Sequence, residues 1–185
     1  MIRIKDLLLA TLLLTGWSVS AQSEDRMFED FQDTPATRWE FIADTVMGGV
    51  STGSVSFAKE GQTSFARMTG SVSTENRGGF IQFRRLLDTP PPDGTTGIRI
   101  VVRDNNQKYF LHLRTKGTLL PWQYYQSEFD TTEGWTEFRL PLSSFKASGR
   151  LLRSTPAARS LTSIGVVAYG RDHDAEIDVR EINFY

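Results

Sequence analysis

The chain has 185 residues, 39% of them hydrophobic and 23% charged, with 15 Gly, 7 Pro and no Cys. This is the composition of one folded domain, and it excludes a disulfide scaffold, Cys-ligated zinc, iron–sulfur clusters and thiol catalysis. A formal net charge of −1 argues against nucleic acid as a partner, because phosphate binding demands a basic excess.

The first 21 residues differ from the rest. Arg3 and Lys5 precede an apolar run from Leu7 to Val19, and Val19-Ser20-Ala21 places small residues where a signal peptidase cuts. The pattern predicts a secretory signal over 1–21, a mature domain over 22–185, and a periplasmic or secreted location. The run is too short for a comfortable membrane span, and no second apolar segment follows it, so no span is expected after signal cleavage. Gln22 to Arg26 reads as a mobile start.

Beyond that point apolar residues recur with period two, and no ten-residue stretch holds a helical period. Strands are predicted over 38–43, 53–58, 65–72, 79–85, 97–103, 108–114, 122–129, 135–140, 163–169 and 175–185. Lys59 to Gln62 and Asp104 to Gln107 have turn chemistry. Pro90 to Gly94 is a stiff loop that no sheet interior accepts. Pro141 to Lys146 suits one short helical turn. In the last strand Ile177 and Val179 are odd-numbered while Ile182 and Phe184 are even, which requires a bulge near Arg180-Glu181 if all four are to face one core. About ten strands and almost no helix predict an all-β, two-sheet β-sandwich.

Few of the motifs suit catalysis. Gly49-Val50-Ser51-Thr52-Gly53 matches the G-x-S-x-G of a hydrolase elbow, but the residues after it alternate like a strand where a helix is needed. Gly48 to Ser54 lacks the lysine and helix of a phosphate loop. Asp172-His173-Asp174 reads as a solvated hairpin loop or, failing that, a calcium loop. His112, beside Phe110 and Arg114 on one strand face, reads as a surface or half-buried packing residue. No cofactor is expected.

Two glycine-rich segments stand out: Asp44 to Ser51, with Met47, Gly48 and Gly49, and Asn76 to Phe80, with Arg77. Paired glycines permit close backbone approach, and Asp44 can accept main-chain N–H groups. The two segments are expected to meet in space, as a tight corner or as a binding rim. Pro121-Trp122-Gln123-Tyr124-Tyr125 is the richest aromatic stretch. Alternation places Trp122 and Tyr124 on one face and Gln123 and Tyr125 on the other. The face with the amide is expected to be outermost, which makes Tyr125 the exposed anchor and Trp122 and Tyr124 core residues.

Trp39 to Ser51, centred on Asp44-Thr45-Val46-Met47-Gly48-Gly49-Val50-Ser51, resembles the opening signature of the complex I intermediate-associated protein 30 family. The resemblance continues through Gly70 to Ser73, Asn76-Arg77-Gly78-Gly79-Phe80, Gly97-Ile98, Lys108 to Thr115, Pro121 to Tyr125, Phe129, Gly134-Trp135, Leu140-Pro141, Phe145 and Ile164-Gly165. It implies a galactose-binding-like jelly roll, kin to carbohydrate-binding modules, and a non-enzymatic binding or assembly role. The implied partner is a protein, an envelope or respiratory-complex component, with a carbohydrate as the alternative. Mitochondrial members are assembly factors, whereas this chain carries a secretory signal. No catalytic set is carried over. The binding candidates are Asp44, Met47, Gly48, Gly49, Ser51, Asn76, Arg77, Trp122, Gln123 and Tyr125.

Overall fold

The computed structural model describes residues 26–185; the apolar N-terminal run and its cleavage site lie outside them. Among the described residues no helix is long and apolar enough to cross a membrane. The strands are β1 (Arg26–Glu29), β2 (Trp39–Ala43), β3 (Thr52–Glu60), β4 (Thr63–Val72), β5 (Phe80–Leu86), β6 (Gly97–Asp104), β7 (Lys108–Thr115), β8 (Tyr125–Asp130), β9 (Thr136–Pro141), β10 (Lys146–Ala147), β11 (Leu161–Tyr169) and β12 (His173–Phe184). The turn expected after Pro141 is a single 3-10 turn, Leu142–Ser144.

The strands form two sheets, all pairs antiparallel. One runs β3-β4-β12-β6-β9, with β1 continuing along β12 beyond the end of β4; the other runs β10-β8-β7-β11-β5-β2. Period-two patterning decides which side chains enter the core between them. Tyr109, Leu111 and Leu113 of β7, Ile81 and Phe83 of β5, and Ile98, Ile100 and Val102 of β6 are all fully buried. In β12 the pairing with β6 shifts register between Val179 and Glu181. The extra residue at Arg180 is what lets Ile177, Val179, Ile182 and Phe184 all point inward.

Of the stretch 22–26 expected as a mobile start, residues 22–25 lie outside the described residues and Arg26 opens β1. Glu29 is buried and accepts hydrogen bonds from Phe31 N–H (2.8 Å), Trp39 Nε1 (2.8 Å), Arg38 Nη2 (2.8 Å) and Arg85 Nη1 (2.7 Å). Burial would raise its pKa, but these donors prevail and hold the carboxylate below its ordinary range. Because β1 lies in one sheet while Trp39 and Arg85 lie in the other, this carboxylate staples the two layers.

The outer face of the β12 sheet is closed by charge and rings. Asp178 is buried between Arg67, which donates twice at 2.6 Å, and Arg103, which donates at 2.8 Å. The guanidinium of Arg103 lies over the rings of Phe65 and Trp135.

The aromatic segment corrects the sequence reading. Tyr125 is only 2% exposed and Gln123 is buried, whereas Trp122 is 63% exposed and Tyr124 half-buried. The strand begins at Tyr125, not Trp122. Residues before it form a tight turn in which Gln123 N–H donates to Leu120 O and Gln123 Oε1 accepts from Leu120 N–H, both at 3.0 Å. Alternation itself holds from Trp122 onward, but the face that carries the amide is the inner one, because Gln123 satisfies its polar groups within the turn. Tyr125→Ala should cost about 3–5 kcal/mol in urea unfolding, as loss of a buried ring does. Trp122→Ala should leave the unfolding midpoint nearly unchanged.

Candidate functional site

The two glycine segments do meet. β2 leaves one sheet and enters the other through 44–51; β4 returns through 73–79. Asp44, fully buried, sits where these crossovers touch. Its Oδ2 accepts from Gly79 N–H (2.5 Å), Phe80 N–H (3.2 Å) and the Ser51 hydroxyl (2.5 Å), and its Oδ1 from Ser51 N–H (2.9 Å). The glycines make room for the carboxylate. A Cβ at Gly49 would lie 2.3 Å from Asp44 Cγ, and one at Gly78 would lie 2.3 Å from Oδ2. Ser51 is itself buried, with its hydroxyl also accepting from Ser73 N–H (3.0 Å), so it is no exposed nucleophile.

The signature is thus split. Asp44, Gly49 and Ser51 build the corner from inside. Val46 (71% exposed), Met47 (57%) and Val50 (41%) stand outside as an apolar knob. Gly48 makes the knob's turn at φ +90°, and Asn76 and Arg77 are exposed beside the corner, both held in the left-handed region at φ 53° and 63°. Such backbone costs of order 1–3 kcal/mol per residue and persists only where surroundings over-determine it. Nearby, Asp172 ties its own loop to Thr74 by accepting from its N–H and hydroxyl, each at 2.7 Å. Among the described residues no group of three His, Asp or Glu converges on a metal position.

Trp122, Gln123 and Tyr125 lie far from this corner. Ala43 pairs with Ile81 and Tyr169 with Phe80 at one end of the sandwich, whereas Thr115 pairs with Leu161 and Tyr125 with Leu113 at the other. Sequence reasoning passed over a second cluster on the outer face of the β11 sheet. His112 and Tyr124 stack with centroids 4.1 Å apart and planes within 10°. Tyr169 meets Phe110 edge-on. Gly165 leaves a shallow cleft between His112 and Arg84, its neighbours in the sheet. Burial pushes the His112 pKa down to about 3, so the ring is neutral. Its Nε2 and the Oε1 of Gln126 are buried without a hydrogen-bond partner. The shared face of Phe110, His112 and Arg114 was the available signal; Tyr124 and Tyr169 come from distant segments.

For Asp44, burial alone would raise the pKa, but the Ser51 hydroxyl and three backbone N–H groups more than offset it, and the net shift is downward. A carboxylate depressed in the folded state contributes stability above its unfolded pKa, near 4, and loses it as pH falls through the lower folded value. Asp44→Ala should cost about 3 kcal/mol or more, since it strands several buried donors. Asp44→Asn should flatten the loss of stability below about pH 4. Chemical denaturation across pH checks both.

The chain is similar to the family 11 carbohydrate-binding module of the cellulase Lic26A-Cel5E from Clostridium thermocellum, with 14% identity and a TM-score of 0.71 over 86% of this chain and 93% of that one. The family 11 module from Clostridium thermocellum in complex with a β-1,3-1,4-mixed-linked tetrasaccharide gives 12% identity and a TM-score of 0.69 over 86% and 94%. A family 30 carbohydrate-binding module gives 9% and 0.53 over 74% and 91%. At these identities the likeness establishes the fold, a galactose-binding-like jelly roll, as the resemblance implied. No curated protein matched. Residues 28–179, nearly the whole of the described chain, match the complex I intermediate-associated protein 30 family, and the chain belongs to that family.

Proposed function

We propose that this chain is a non-enzymatic, exported binding module that engages a protein partner through the apolar knob of the Asp44 corner. The observation that carries this reading is the division of the signature. Half of it is spent on rigidifying a corner, and the other half presents Val46, Met47 and Val50 to solvent on that rigid base. Apolar side chains held on a pre-organised turn lose little entropy on docking, which is what a recognition hot spot requires. The family is named for association with intermediates of complex I, which makes a component of a multi-subunit assembly the partner class. Replacing Met47 and Val46 by Ser should leave the thermal midpoint unchanged. It should also weaken capture of the partner from envelope extract by about 2 kcal/mol or more. Equal capture by variant and parent would refute the knob.

A second reading rests on the β11 sheet. A stacked aromatic pair, a planar amide and two guanidinium groups around a cleft suit a sugar ring. The fold relatives include a module in complex with a β-1,3-1,4-mixed-linked tetrasaccharide. Affinity electrophoresis in a β-1,3-1,4-mixed-linked polysaccharide should retard the protein, and Tyr124→Ala should abolish the retardation; migration indifferent to the polysaccharide excludes this ligand.

A further inference from the structure

We infer that the end of the sandwich opposite the Asp44 corner is an interfacial surface for an anionic phospholipid bilayer. Three segments converge there. The β7–β8 loop is held on one side by Ser148, whose N–H donates to Tyr124 O (2.9 Å) and whose hydroxyl donates to Trp122 O (3.1 Å), and on the other by Lys116 N–H donating to Ser160 O (2.8 Å). Arg114 reaches up from β7 to the carbonyls of Thr118 (2.9 Å) and Leu120 (3.0 Å), so the loop is braced from below.

On this braced loop and its neighbour stand four bare apolar side chains: Leu119 (82% exposed), Leu120 (42%), Trp122 (63%) and Leu151 (94%). Three of them fall within four residues of one loop and the fourth on the neighbouring loop, so they form a small cluster of apolar tips. A fluid interface accepts them, with Trp at headgroup depth and Leu in the acyl boundary.

The charge pattern selects the sign of that interface. Lys116, Arg150, Arg153 and Arg159 are exposed on the same segments, and none makes an ion pair among the described residues. From Tyr109 to Ser127 and from Leu142 to Gly170 the sequence holds no Asp or Glu at all, in a chain whose net charge is −1. Exposed Asp88 and Asp93 stand at this same end of the sandwich, in the β5–β6 loop, and lie outside both stretches. The two stretches themselves form a cationic, apolar-tipped strip suited to anionic headgroups. This surface lies at the opposite end from the knob and borders the aromatic cleft, which Pro121 and Tyr124 line, so the knob stays free for a partner while the other end rests on lipid.

The test uses the chain from Gln22, which retains every strand of both sheets and removes the N-terminal apolar run as a source of binding. Co-sedimentation is measured with vesicles of phosphatidylcholine alone and with vesicles in which roughly one lipid in three is phosphatidylglycerol. Binding is expected to the anionic vesicles and to weaken as salt rises. Reversing Arg150 and Arg153 to Glu should weaken partition by about fivefold per cation, and Leu119→Ser with Trp122→Ser should reduce it about tenfold or more. Each variant's thermal midpoint is measured alongside, and both are expected to match the parent because the changed side chains are exposed. No binding to anionic vesicles, or binding that both variants retain in full, overturns the inference. So does binding to poly-glutamate with none to vesicles, which would assign the surface to an acidic protein.

Discussion

One carboxylate determines how the two layers are joined at the corner. Chain passes between the sheets at 44–51 and again at 73–79, and each passage must turn without the ladder hydrogen bonds of a strand. Buried backbone donors left over at such crossings cost free energy comparable to a lost bond. Asp44 collects them, and its oxygens bring both crossings to one point. The glycine pairs follow from this, because the carboxylate occupies the volume that their side chains would need. So does the exposure of the residues between them, which have no inward direction left to take.

Glu29 does for β1 what Asp44 does for the corner, and Asp178 does it again on an outer face. In each case a buried acidic group is surrounded by hydrogen-bond donors from distant segments. The sandwich thus has an apolar centre and three carboxylate-centred clasps around it, each joining segments far apart in sequence.

Much of this was legible in the sequence, for reasons that differ by element. Strands such as β6, β7 and β11 declared themselves because alternation is a local property. The bulge at Arg180 followed from parity, since Ile177 and Ile182 cannot share a face otherwise. The meeting of the two glycine segments followed from residue chemistry. The pairing of Trp122 with Tyr124 and of Gln123 with Tyr125 held, but the inner and outer faces were exchanged, because the Gln123 amide is satisfied by Leu120 N–H and so can be buried. β1 and β10 escaped notice at four and two residues, too short for any period to register. The His112–Tyr124 stack went unread because Tyr124 was expected in the core, whereas it lies on the outer face beside β7.

The position of β12 has a bearing on biosynthesis. It is the inner strand of its sheet, pairing with β4, β6 and β1, yet it follows every other strand in the chain. Until residues 173–184 leave the ribosome or a translocation channel, β4 and β6 have no partner between them and β1 has none at all. Half of the sandwich must therefore assemble in a single late step through contacts of long sequence separation. Until then it presents open strand edges, the state in which a β protein depends most on being kept from its neighbours.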